Sequence, residues 1–496
     1  MASILERLEY WVNKNPQKLL YAFLDLGGRE TERYTYESFL QRITTIAGHL
    51  RTVHRFENKD CLLLAYRPGL EMICAFFGCA RAGLIPVPVY LPGVHGFQAA
   101  LNKMAHVARD CGAAAILTNR EYDATLETHM ARNGSSGCSP EEAYVSKLKR
   151  IVTEDMRSAV AEERFGSSET LFLQYTSGST GSPKGVMVTH GNILHNCSLV
   201  LDHSSPVGVS WLPQYHDMGL IGYYLYLALS GGTTYGFSPV DFIQRPALWF
   251  DAITKYRASA SSAPNFAFEY CLRPGRLSKE TLENTDLSSL RCLMAAAEPV
   301  RSGTYERFLQ TFQPLGLVPK HFYVAYGLAE NTLAVSSYGR NVLSVSKNGL
   351  GVRRVRATKE VSEISGSQRI VSCGRPLGDI VVRIVDPDKH VGLDNGNIGE
   401  IWVSGKSKCL GYWNNSEMTE RTFHARIIGE SQQEDGYLRT GDLGFVHEGE
   451  LYVCGRTKDM IIVRGQNYYP QDITAVQISG LTAGRGEGCR WRPAGD

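Results

Sequence analysis

The chain has 496 residues, 43% of them hydrophobic and 21% charged. That length allows about two to four domains, and that composition excludes disordered and collagen-like architectures. Lys and Arg number 52 against 50 Asp and Glu, so no basic field covers the chain and nucleic acid is not an expected partner.

The first elements alternate. Residues 7–25 read as a helix leading into a short strand. Tyr36 to Leu50 places Phe39, Ile43, Ile46 and Leu50 on one helical face. Cys61 to Tyr66 reads as a buried strand, Gly69 to Ala82 as a helix, and Ile85 to Val89 as a second strand. This is strand–helix–strand at the spacing of a parallel crossover. The stretch Met72 to Leu91 is the most apolar in the chain, but Arg81 and the Pro and Gly interruptions argue against stable membrane insertion. A helix at 98–110, strands at Ala114–Thr118 and Leu171–Tyr175, and a helix at Asn192–Leu201 continue the alternation. The fold class is therefore α/β with a mostly parallel sheet.

After about residue 370 the texture changes. Ile380–Val385, Glu400–Val403 and Leu451–Cys454 read as strands joined by Gly and Asp turns, which predicts a smaller β-rich subdomain. Segment 341–369 is polar and reads as an insertion over the surface. Residues 474–496 hold five Gly and three Arg without periodicity and read as a tail outside any fold. The 12 cysteines are scattered, with Cys74 and Cys79 the nearest pair. That excludes a zinc ribbon or disulfide scaffold and predicts a reducing, cytoplasmic location. Met1 to Gln17 lacks the apolar core of a signal peptide.

The strongest chemical signal is Thr176-Ser-Gly-Ser-Thr-Gly-Ser-Pro-Lys-Gly185, directly after a strand. Gly178, Gly181 and Gly185 let the backbone curl so that N–H groups converge. Thr176, Ser177, Ser179 and Thr180 add hydroxyls, and Lys184 adds a positive charge. Converging donors with a cation make a phosphate cradle. The Walker A pattern fails, because Pro183 stands where a glycine should precede the lysine.

This loop resembles the phosphate-binding signature of the adenylate-forming superfamily, and further motifs follow in the family's order. Tyr326-Gly-Leu-Ala-Glu330 resembles its adenine and metal motif, Ala295-Ala-Ala-Glu-Pro299 its adenine-side strand end, and Thr440-Gly-Asp442 its ribose motif. Gly455-Arg-Thr-Lys-Asp459 resembles the ribose-contacting arginine and the hinge to a small C-terminal domain. Leu173–Gly178, Ser210–Gly219 and Asn467–Ile473 resemble the fatty acyl-AMP ligase subgroup, and 341–369 lies where that subgroup carries its insertion.

The resemblance implies two doubly wound α/β subdomains and a β-rich one in an AMP-binding domain over 1–458, then a hinge and domain start over 459–473. It implies ATP and Mg²⁺ as cofactors. Lys184, Glu330 and His216 would be catalytic, with His216 gating the acyl site. Thr176, Ser177, Gly178, Ser179, Thr180, Gly181, Lys184, Ala296, Ala297, Glu298, Tyr326, Gly327, Asp442 and Arg456 would bind nucleotide, and Thr176 and Glu330 would hold the metal. The implied partners are a fatty acid and an acyl carrier protein or polyketide synthase carrier domain. The expected reaction makes acyl-AMP and pyrophosphate. Because family resemblance stops at Thr474, the reading expects most of the C-terminal domain to be missing and adenylation to be impaired.

By residue type alone Tyr326 could be core, Glu330 and Arg456 surface charges, Asp442 a turn former, and His216 a structural partner of Asp217. Trp211, Leu212, Met218, Leu220, Ile221, Phe266 and Phe268 are acyl-pocket candidates that could equally be core. Two other functions fit the same motifs: an acyl-CoA synthetase, and a non-catalytic acyl- or nucleotide-binding module.

Overall fold

The computed structural model describes residues 3–91, 97–133, 139–157, 168–176, 183–200, 205–346, 367–430, 435–457, 461–463 and 466–468. Helix Ile4–Lys14 is capped by Ser3, whose hydroxyl accepts from the Glu6 amide, and buries Ile4, Leu8, Trp11 and Val12. Helix Tyr36–Gly48 begins with a reciprocal Thr35–Ser38 capping box and buries Phe39, Ile43 and Ile46, the face expected from the spacing.

The expected first crossover is present. Strands Cys61–Ala65 and Ile85–Pro88 pair in parallel, and helix Leu70–Arg81 joins them. That helix is buried from Met72 to Ala80, which explains its unbroken apolar run. It lies so close to helix Tyr36–Gly48 that a Cβ on Gly78 would sit 2.5 Å from Ile46 Cγ2. Strands Ala115–Thr118 and Lys149–Val152 complete a four-stranded parallel sheet.

A second sheet has nine strands. Its parallel centre is formed by Leu19–Leu24, Thr233–Gly236, Val207–Ser210, Ala260–Ala263, Cys292–Ala295 and Phe322–Gly327. Antiparallel strands close both edges: Glu30–Thr35 on one side, Ala334–Gly339 and Arg375–Pro376 on the other. The β-rich unit is a four-stranded antiparallel sheet of Val381–Val385, Gly399–Ser404, Leu438–His447 and Glu450–Arg456.

The segment read as an insertion over the surface is partly buried at its ends. Val342–Ser346 pairs with Ser367–Val371, and Val345 and Ile370 are buried with Ile398, Phe445 and Tyr452. Leu343 and Val345, two apart on one strand, and Ile370 on the other supply that contact within a polar stretch. Residues 347–366 lie outside the described residues, as does the tail from 474. Past the expected boundary at 458, Ile461–Val463 pairs with Gln466–Tyr468.

Candidate active site

Strand Thr170–Thr176 runs antiparallel to Lys184–Thr189, with Thr176 opposite Lys184. The hairpin thus delivers the hydroxyl and the ammonium to one end of the sheet. Ser177, Gly178, Ser179, Thr180 and Gly181 lie outside the described residues. Two more strand ends meet there: Ala296 and Ala297 follow Cys292–Ala295, and Tyr326 and Gly327 end Phe322–Gly327. Carboxyl ends of parallel strands are where open α/β sheets take ligands. Thr176, Lys184, Ala296, Ala297, Tyr326 and Gly327 all line a cavity of about 1390 Å³.

The β-rich sheet supplies the opposite wall. Tyr326 donates its hydroxyl to Asp442 Oδ2 at 2.6 Å, and Arg456 Nε donates to Asp442 Oδ1 at 3.1 Å. Asp442 and Arg456 are register partners on adjacent strands. Asp442 is 5% exposed. Burial raises its carboxyl above the ordinary range, while the Tyr326 bond and the Arg456 charge pull it back. Gly441, at φ +73°, lets the chain turn here.

Glu330 sits in the turn Ala329–Asn331. Burial raises its carboxyl, and a hydrogen bond from Tyr412 opposes that. The Tyr412 hydroxyl donates to Glu330 Oε1 at 2.9 Å, and the Lys184 ammonium lies 5.0 Å from the Tyr412 ring centroid. One tyrosine therefore links the phosphate-loop lysine to the metal-motif glutamate. His216, half-exposed, places Nδ1 2.7 Å from Asp217 Oδ1, and the Asp217 charge raises its pKa. His216 and Asp217 both line the cavity.

Glu298 is turned elsewhere. It accepts from the Phe266 amide at 2.5 Å, at the start of helix Asn265–Cys271. Of the acyl-pocket candidates, Met218 lines the cavity. Trp211 stacks on Phe242 at 3.9 Å, and Leu212, Leu220, Ile221 and Phe268 are core. Phe266 is 45% exposed. Apolar residue type marks burial but not which side of a sheet is buried. The apolar wall of the cavity comes from residues such as Tyr223, Met294, Ala325 and Leu333.

Two participants were missed by the sequence reading. Tyr412 reaches the site because Gly411 and Trp413 bond to the backbone of strand Lys184–Thr189. Glu400, 3% exposed, accepts from the Gly441 amide at 3.1 Å and from Arg439 at 2.8 Å. It holds the ribose-motif turn in shape. The Gly-Tyr-Trp and Gly-Glu-Ile triplets were visible, but nothing local tied either to the motifs far upstream.

The family model for AMP-binding enzymes matches residues 8–413. This chain belongs to the AMP-binding enzyme family. Within it, the chain is 36% identical to JamA, a medium-chain fatty acid–acyl carrier protein ligase of Moorena producens, over 95% of this chain and 79% of that protein. It is 34% identical to the long-chain fatty acid–AMP ligase FadD26 of Mycobacterium marinum, over 97% and 83%. A fatty acyl-adenylate ligase from L. pneumophila, solved with acyl adenylate and pyrophosphate, superposes with a TM-score of 0.80 at 36% identity, over 97% of this chain and 82% of that one. The AMP-binding family's adenylate-forming fold is thus the fold of this chain. Among the described residues, no helix is long and apolar enough to cross a membrane.

The residues also fit a magnesium ion. No group of three or more His, Cys, Asp or Glu is gathered among the described residues. Mg²⁺ needs none of that, since it is commonly held by one or two carboxylates plus substrate phosphates. Glu330 offers such a carboxylate, and Thr176 a hydroxyl on the same cavity wall.

Proposed function

We propose that the chain activates a medium- or long-chain fatty acid as its acyl adenylate and passes the acyl group to an acyl carrier protein. The observation that carries this is one continuous cavity. It places Lys184, Glu330 and Tyr326 at one end and continues between Tyr223, Met294 and Leu333 as a largely apolar channel. The relatives with carrier-protein and AMP ligase names support the reading.

In this reaction a carboxylate oxygen of the fatty acid attacks the α-phosphorus of ATP. The α–β phosphoanhydride bond breaks and pyrophosphate leaves with the electron pair. No general base is required, because a fatty acid is already ionised near pH 7. The problem is bringing two anions together, so positioning and charge neutralisation carry the rate. Lys184 and Thr176 would bind the departing phosphates. Asp442 has two acceptor oxygens for a ribose diol, and Tyr326 supplies an aromatic wall for adenine. His216, whose pKa the Asp217 charge raises, would meet the fatty carboxylate at the channel mouth. Mg²⁺, held by Glu330 and Thr176, would withdraw charge from the phosphates. The carrier thiol then attacks the acyl carbonyl and AMP leaves.

The test is incubation with ATP, Mg²⁺ and tetradecanoic acid, with acyl-AMP read by mass. Acyl-AMP alone, converted to acyl-carrier protein when holo-carrier is added, is the expected result. Release of acyl-CoA with coenzyme A in preference to the carrier, or no adenylate at all, would overturn it.

A further inference from the structure

The cavity does not stop at the middle of the sheet. Along strand Cys292–Ala295 it is lined from Ala297 back to Cys292 and Arg291, and along Phe322–Gly327 from Gly327 back to His321 and Lys320. These two strands are parallel neighbours, with Met294 opposite Tyr323. The void therefore follows both strands from end to end, a path of about 20 Å at about 3.3 Å per residue. That is a channel along one face of the sheet, with the nucleotide end at the strands' carboxyl ends and a second end at their amino ends.

The second end is chemically unlike the rest. Arg291 and Lys320 come from the loops before the two parallel strands, and Arg340 from the end of the antiparallel strand Ala334–Gly339, whose Gly339 pairs with Val324. All three line the cavity and are exposed. Arg340 Nη1 donates to the Lys320 carbonyl at 2.9 Å, and Arg291 Nη1 donates to the Ser288 carbonyl at 3.0 Å. Both guanidinium groups are thus held at the rim by neutral carbonyls. Among the described residues, none of the three cations forms an ion pair. Just inside, Tyr323 donates to Cys292 Sγ at 2.9 Å, and the Tyr338 ring packs on Tyr323 with centroids 4.8 Å apart.

A channel meant to end on a methyl group gains from an apolar floor, at about 0.8 kcal/mol per buried CH₂. Three cations without carboxylate partners give it nothing. They do suit an anion, because Arg and Lys bind carboxylates by charge-assisted hydrogen bonds. We propose that the distal mouth formed by Arg291, Lys320 and Arg340 takes the far end of an acyl chain that carries a second carboxylate. The preferred substrate class is then a long α,ω-dicarboxylic acid, activated at one end and anchored at the other. The inference rests on the acyl-channel reading above.

The test is equilibrium dialysis of the full chain with radiolabelled hexadecanoate and hexadecanedioate at low and high salt. Dialysis needs no turnover, so it stands apart from the acyl-AMP assay. The diacid is expected to bind at least as tightly as the monoacid at low salt and to lose affinity as salt rises. Lys320→Glu should weaken the diacid about tenfold or more, as loss of a charge-assisted bond predicts, and leave the monoacid within about twofold. Lys320→Gln gives an intermediate loss and guards against misfolding of the reversal. A wild type that binds the diacid more weakly than the monoacid at low salt, or a Lys320→Gln variant that leaves the diacid-to-monoacid ratio unchanged, overturns the proposal. Tighter binding of longer monoacids with no diacid preference would also overturn it, as an open exit for aliphatic chains.

Discussion

The hydroxyl of Tyr326 donates to the carboxylate of Asp442 at 2.6 Å, joining the end of a nine-stranded sheet to the β-rich sheet across the cavity. Tyr326→Phe keeps the ring and removes the bond. Asp442 is then buried with one donor fewer, at a cost of about 1–3 kcal/mol. A lower urea midpoint and about a tenfold weaker nucleotide affinity are expected, measured by denaturation and by calorimetric ATP titration.

Tyr412 is expected to act as a positioning residue. Tyr412→Phe preserves the ring near Lys184 and deletes the donor to Glu330. That bond lowers the Glu330 pKa, so its loss should move the acid limb of adenylation toward higher pH. The rate should fall about tenfold, for about 1.4 kcal/mol of lost hydrogen bonding. Tyr412→Leu, which also removes the ring, should fall further. A rate loss with no shift in the pH profile would leave Tyr412 a packing residue.

The pH dependence of binding and of stability should run in opposite directions. Burial raises both Glu330 and Asp442 in the fold. A raised acid holds its proton more tightly folded than unfolded. Stability from these two groups is therefore fully present below their unfolded pKa, about 4, and is lost as pH rises through the raised folded values. In the proposed function Asp442 accepts from the ribose and must be charged to do so, so nucleotide affinity should fall as pH drops through the same window. Affinity titrations across that window, beside melts of Asp442→Asn and wild type, check both slopes.

Gly327→Ala should be among the most damaging small substitutions. Its Cβ would fall 1.8 Å from the Leu333 carbonyl oxygen, which is backbone and cannot rotate away. Overpacking costs about 1–3 kcal/mol, sometimes more, and here it displaces the turn carrying Glu330. Loss of both melting temperature and adenylation is expected. Gly303→Ala meets nothing within 4 Å and serves as the control.

The sequence by itself determined the α/β class, the order of the motifs and the candidate residues of the site. Glycines, hydroxyls and a lysine packed into ten residues announce a phosphate loop locally, and Tyr326 with Glu330 sits in one short stretch. Helical and strand periodicity likewise needs only neighbours, so the first crossover and helix Tyr36–Gly48 were legible. The tertiary structure decided what depends on long-range register. Tyr412 and Glu400 reach the site only because strands far apart in the chain pair as they do. The channel wall could not be chosen from apolar residues, because Trp211 and Phe268 satisfy burial on the core side as well as Tyr223 and Ala325 do on the channel side. The distal cations were ordinary surface charges until three separate strand ends brought Arg291, Lys320 and Arg340 to one rim.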